Sequence, residues 1–352
     1  MSELSSRRGS RMTALVDRVP GRGTTVALAA IGLALLLVFL VHGYWAFKLA
    51  TVVILALAVR GLQLLIGSSG QISLGHGAFF GLGAYASGVF MSQAWLTPYL
   101  SVPVAALVCG VLGFLFGLPA VRLAGPYLAL ATFALSLAFP QLLKHPLFED
   151  WTGGVSGLSL DPVTVPFGIT WLHDDQWALL MTIVWAAIVY TALHRLVCGP
   201  TGLAWISLRD HPTAATAVGV DVRRWKAIAF GVSAATVGAA GALNTVLTGF
   251  VSPDSFTVFL SLSLLVGVAI SGPTSILGTG VAAVFLSFAP DVMEKVSREL
   301  TGVLYGAVML AIVFVVPALN QWRRRSALKR RADTAAPAPV PVPVAATPEQ
   351  AR

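Results

Sequence analysis

Between Arg60 and Arg122 the chain carries no Asp, Glu, Lys or Arg. A charge-free run of this length suits a bilayer, whose hydrocarbon core takes about 20 mainly apolar residues per crossing helix. The centre of the run is nonetheless polar, reading Gly67-Ser-Ser-Gly-Gln-Ile-Ser-Leu-Gly-His-Gly77. In hydrocarbon an unpaired backbone N–H or C=O costs on the order of several kcal/mol, so irregular backbone is tolerated there only where protein buries it or it lines a cavity. The segment is therefore expected beside a pathway through the membrane, in a transport protein.

Apolar residues make up 56% of the chain and charged residues 11%, against about 25% charged in soluble domains. The expected fold class is an all-α polytopic membrane protein, because a β-barrel would show short alternating segments instead. Ten crossings are expected, near 24–41, 46–66, 73–93, 98–118, 126–143, 177–197, 227–248, 256–272, 276–290 and 302–319. The third and ninth begin in glycine-rich sequence, where a helix can be broken or re-entrant. With both termini cytoplasmic, the inside segments hold 18 of the 23 Lys and Arg, and the outside ones only Lys48, Lys144, Lys295 and Arg298. That split follows the rule that basic residues concentrate on the cytoplasmic side. Arg60 is the one formal charge well inside an expected span.

Residues 1–23 form a basic N-terminal segment and 24–320 the transmembrane domain. No small-residue cleavage site follows the apolar run Val26–Val41, so the run reads as a helix rather than a signal peptide. The outer loop 144–176 carries Trp151 and Trp171, with Trp177 just beyond it, as interfacial anchors. Residues 321–352 are basic and then Ala/Pro-rich, expected to be disordered, with the basic part facing anionic lipid headgroups. Cys109 and Cys198 sit in or beside apolar runs and suggest neither a metal nor a redox site.

The inner loop 195–226 is the only sizeable polar loop on the cytoplasmic side. Pro212 suits the first turn of a short helix over Thr213–Val218, with Asp210 as a cap and Gly219 at its C-terminal end. A short helix flanked by basic residues suits docking into a groove on another protein; the alternative is a plain connector. Ser69–Gly77 also echoes Ser271–Gly280 with one inserted residue, and five crossings per half would permit inverted repeats.

Gly70-Gln-Ile-Ser-Leu-Gly-His-Gly-Ala-Phe-Phe-Gly-Leu-Gly-Ala-Tyr85 resembles the hallmark segment of branched-chain amino acid ABC transporter permeases. Gly125-Pro-Tyr-Leu-Ala-Leu-Ala-Thr132 and Thr152-Gly-Gly-Val-Ser-Gly157 before Leu158 resemble segments of the LivM-type member. Arg209, Asp210, Ala214, Ala215 and Gly219 resemble the family's cytoplasmic coupling segment, and Ser252–Phe256 with Leu260-Ser261 its late periplasmic one. The likeness spans roughly residues 45 to 320. Pro126 stands where the family commonly has Asp, and Arg60 where it has an aliphatic residue.

The resemblance implies a permease subunit of an ATP-driven importer in the bacterial cytoplasmic membrane, not itself an enzyme. Its partners would be two ABC ATPase subunits, a second homologous permease, an extracytoplasmic substrate-binding protein and membrane lipids, with no nucleic acid. No lysine follows a glycine, so the Gly-Lys-Ser/Thr phosphate loop is missing and no cofactor is expected here; ATP would be used by the partners. A small zwitterion with an apolar side chain could be held by the freed N–H and C=O groups of a broken helix. Gly70, Gly75 and Gly77 would permit that backbone, Gln71, Ser73 and His76 would add hydrogen bonds, and Tyr85, Tyr127 and Thr132 complete the expected pathway set. Arg209, Asp210, Ala214, Ala215 and Gly219 would couple to the ATPases.

Other readings remain. Urea, short amides or a sugar could be the cargo. An ion-coupled carrier is disfavoured, because all fifteen acidic residues fall in expected loops or tails. A membrane enzyme would have only His173, Asp174 and Asp175 to work with.

Overall fold

The computed structural model describes residues 38, 40–120, 122, 123, 125–161, 163–165, 173–312, 314 and 315. The expected segments 1–23 and 321–352, and nearly all of the expected crossing 24–41, lie outside the described residues. The helices run as α1 (Tyr44–Ser69), α2 (His76–Ser92), α3 (Pro98–Ala120), α4 (Pro126–Leu143), α5 (Pro146–Thr152) and α6 (Asp174–Cys198). They continue as α7 (Pro200–Asp210), α8 (Pro212–Ala217), α9 (Val222–Thr248), α10 (Val258–Ser271), α11 (Ile276–Val296) and α12 (Thr301–Ile312). One two-residue antiparallel pair, β1 (Leu158–Ser159) and β2 (Phe250–Val251), joins the loop after α5 to the loop after α9.

Among the described residues, six helices, α1, α3, α4, α6, α9 and α11, are long and apolar enough to cross a membrane. The expected third span starts three residues late. The chain stays irregular from Gly70 to Gly75 and α2 has only 17 residues. The expected ninth span runs six residues further than the sequence suggested. Asp291 does not end α11 because Lys48 of α1 neutralises it at 2.6 Å and the Tyr44 hydroxyl donates to it at 3.2 Å.

Helix α9 is the axis of the bundle and packs on α3, α2 and α1. Its sequence explains this. Ala, Gly, Ser and Thr dominate the stretch Ala227–Thr245, and small residues let membrane helices approach closely. A Cβ built on Gly83 of α2 would overlap the Gly238 backbone of α9, and one on Gly241 would overlap the Phe80 carbonyl. The apolar core fills in around this contact with Ile54, Leu57, Leu62, Tyr85, Leu243 and Leu264.

Gly241→Leu should therefore force α2 and α9 apart, at a cost of about 1–3 kcal/mol or more for overpacking, and lower the thermal midpoint of the purified chain in detergent. Gly280→Ala, where nothing lies within 4 Å of the new methyl, should leave that midpoint unchanged.

Candidate functional site

The site is built around the break between α1 and α2. Helix α1 ends because Gly70 turns left-handed, at φ +70°, a conformation open to glycine at little steric cost. The Leu65 carbonyl then takes three donors: the N–H groups of Gly70 and Gln71 and, at 2.7 Å, the Ser69 hydroxyl. Beyond it Gln71, Ser73 and His76 turn inward and are buried, while the apolar Ile72 is half exposed. The usual inside-out order of a polar loop is thus reversed.

Several polar groups around the start of α2 have partners on other helices. The Leu74 N–H donates to Thr132 Oγ1 at 2.9 Å, and the Thr132 hydroxyl donates to the Ala129 carbonyl at 3.0 Å. The Gly77 N–H donates to Ser261 Oγ at 2.8 Å. Ser136 Oγ donates to the Leu74 carbonyl at 2.8 Å, so its 2.8 Å contact with Ser261 must be one in which Ser261 donates. A directed chain results, from the Gly77 N–H through two hydroxyls and back to the Leu74 carbonyl.

His76 closes the other side. Ser233 Oγ donates its one proton to the Gly61 carbonyl at 2.7 Å, so it accepts from His76 Nε2 at 2.7 Å. His76 Nδ1 then accepts from Ser73 Oγ at 2.8 Å, and Ser73 Oγ accepts the Gly75 N–H at 3.2 Å. The hydrogen-bond network thereby assigns the neutral Nε2–H tautomer. Phe79 and Phe230 cover the ring, with centroids 5.8 and 5.5 Å away.

The break therefore brings together Gly70, Gln71, Ser73, Gly75, His76, Gly77 and Thr132. Tyr85 sits in the core further along α2, stacked edge-on to Phe256, and its buried hydroxyl has no partner. Tyr127 does not join them; it is 70% exposed on the outside of α4. Gln71 donates from Nε2 to Ser69 Oγ at 3.0 Å and to the Lys226 carbonyl at 3.1 Å, and its Oε1 is a buried acceptor without a donor. A cavity of about 490 Å³ lies at the far end of α2, lined by Met91, Tyr99, Asp161 and Thr164.

Ser136, Ser233 and Gln63 belong to this region and the sequence reading passed over them. Each is a polar residue within an apolar helix, and no sequence pattern marks it. Gln63 holds α1 to the α10–α11 turn, its amide donating to the carbonyls of Gly272 at 2.6 Å and Ser275 at 3.1 Å. Arg60 is buried. It is 6% exposed and its guanidinium donates to Gln63 Oε1 at 2.5 Å. The two segments that echo one another in sequence both contain helix breaks, and two residues before the first of them a Cβ on Gly67 would overlap the Pro273 carbonyl.

The inner loop folds as two short helices, α7 and α8. Asp210 does not cap α8; it closes α7 and pairs with Arg209 Nε at 2.8 Å, while His211 takes the cap position. The hydrogen bond from Arg209 holds the Asp210 carboxyl below the usual Asp range. A depressed value means that the carboxylate stays charged as pH falls past that range and is protonated only below it, so the pairing favours the folded loop at neutral pH and is lost on acidification. Arg209 Nη1 also donates to the Gly67 carbonyl in the last turn of α1. Trp205 is fully buried and donates to the Trp225 carbonyl at 3.0 Å. Ala215 packs inward, Ala214 is exposed, and Gly219 turns at φ +86°.

Comparison with known proteins gives the class. The family described as branched-chain amino acid transport system, permease component, matches residues 43–313. The chain is 30% identical over 278 residues to the high-affinity branched-chain amino acid transport system permease protein LivM of Escherichia coli K12, and equally to that of Salmonella typhimurium LT2. Each match covers 72% of this chain and 64% of the relative, so the chain spans slightly less than two thirds of these relatives. No solved structure matches the chain. The chain belongs to the branched-chain amino acid permease family and is a multi-pass membrane protein.

Ser136→Ala should leave the Leu74 carbonyl and the Ser261 hydroxyl unpaired in a buried site and cost about 1–3 kcal/mol. The Ser136→Ala/Ser261→Ala double variant should cost less than the sum of the singles, because the two hydroxyls act as one chain. Unfolding midpoints of the purified variants test both; additive losses would contradict the directed chain.

Proposed function

We propose that this chain is the membrane permease subunit of an ATP-driven importer for branched-chain or related small apolar amino acids. The observation that carries the proposal is the bond between the inner loop and the helix break. The segment that would meet an ATPase holds, through Arg209, the end of the helix from which the chain unwinds. Family membership supports the same class. Leu203, Ile206 and Val218 add to it, being exposed apolar side chains on an otherwise polar loop, as a groove on a partner would require. The loop docks on two ABC ATPase subunits, and Arg209, Asp210, Ala214, Ala215 and Gly219 serve coupling. A second homologous permease completes the pathway and an extracytoplasmic binding protein delivers the cargo.

The chain crosses the bilayer ten times with both termini in the cytoplasm. Residues 1–23 and the tail 321–352 flank the transmembrane domain, and the basic tail meets anionic headgroups. Transport begins when the break opens. The groups now closed onto one another at Gly70, Gln71, Ser73, Gly75, His76, Gly77 and Thr132 are released to the cargo, with Tyr85 further along the route. Donors at the start of α2 meet the carboxylate, and Gln71 Oε1 meets the ammonium. The alternative cargoes are urea, short amides or sugar.

In proteoliposomes containing the assembled complex, ATP hydrolysis should rise several-fold only with loaded binding protein outside, together with uptake of labelled leucine, isoleucine or valine. Hydrolysis and uptake indifferent to the binding protein would count against the class. Ala215→Glu, which buries a charge in α8, should cut uptake per ATP sharply, at a cost of several kcal/mol if the side chain stays in place.

A further inference from the structure

We infer that Arg209 is not an ATPase contact but an internal positioning residue, a clamp that ties the inner loop to the break between α1 and α2. The inference rests on the coupling role proposed above. The last four carbonyls of a helix have no partner within it. Gly67 O is one of these in α1, because the Gln71 N–H that would reach it bonds Leu65 O instead. Arg209 Nη1 fills the vacancy. It also sets a fixed positive charge at the negative end of the helix dipole.

The surroundings leave the guanidinium little choice. Asp210 holds its Nε at 2.8 Å and aims the fork. A side chain at Gly70 would run into Arg209 Cγ at 2.8 Å, so the left-handed glycine is also the seat on which Arg209 lies. On its opposite side Gly67 abuts Pro273. The far side of the break is tied as well, since Gln71 donates to the Lys226 carbonyl at the start of α9. The break is thus gripped before Gly70 by α7 and after it by α9. A shift of α7 relative to α9 moves the two grips apart and loads the segment between them.

The test uses the assembled complex in proteoliposomes, reading ATP hydrolysis and leucine uptake separately. In Arg209→Leu, hydrolysis stimulated by loaded binding protein should persist while uptake per ATP falls about tenfold, the change expected from losing one charge-assisted hydrogen bond of a two-state element. Arg209→Lys should restore part of it, since an ammonium can reach the carbonyl but cannot hold both partners in one fork. Asp210→Asn should fall in the same direction by less, and it decides the question if Arg209→Leu fails to assemble. Arg223→Leu removes the same charge from an exposed position of the loop and should behave as the parent. Parental uptake per ATP in Arg209→Leu, or parallel loss of hydrolysis and uptake, would overturn the clamp. An unaltered complex without ATP-dependent uptake would instead overturn the proposed transport class.

Discussion

Backbone polar groups within hydrocarbon must be paired, and this chain interrupts a helix where pairing is hardest to supply. Between Ser69 and His76 no helical ladder serves the backbone. The partners come instead from the Leu65 carbonyl of α1, from Ser73 within the break, and from Thr132 and Ser136 on α4, while Ser261 on α10 accepts the Gly77 N–H and Ser233 on α9 accepts from the His76 ring. Those side chains can reach only if their helices sit close around the start of α2. The stripe of glycine and alanine on α9 is what brings its backbone near enough. The arrangement of the bundle and the pairing of the break are one requirement seen from two sides.

The kind of pairing matters as much as its completeness. A hydroxyl-mediated hydrogen bond contributes on the order of 1 kcal/mol net, so a chain of them can be exchanged for contacts with a polar solute at modest cost. An ion pair or a metal at the same place would hold the break too firmly. Ion pairs lie elsewhere: Arg209 with Asp210 on the loop, and Lys48 with Asp291 and Lys144 with Asp254 away from the break. Ion pairs away from the break and a hydroxyl-paired middle suit a device driven from one end.

Much of this was legible in the residues. The charge-free run named the membrane, and its glycine-rich centre named the break to within a few residues. Hydropathy placed α3, α4, α6 and α9 closely, because apolar length is what a bilayer selects. Other features were hidden for physical reasons. Asp291 read as a helix end because its neutralising Lys48 lies far away in sequence. Asp210 read as a cap because Asp favours that role, whereas the neighbouring Arg209 claims it here. Ser136 and Ser233 left no pattern at all, since a single hydroxyl on an apolar helix acquires meaning only from what it faces across the bundle. Gln71 and His76 did look functional, and the structure places them among hydroxyls and backbone.

The central claim is that the segment from Gly70 to Gly77 is closed at rest and opens when the inner loop is driven. Amide hydrogen exchange over that segment, in the complex at rest and in the complex held with ATP and loaded binding protein, addresses it most directly. The expected result is strong protection at Leu74, Gly75 and Gly77 at rest and its loss in the driven state, with α9 protected throughout. Equal protection in both states, in a complex that still moves its cargo, would contradict it.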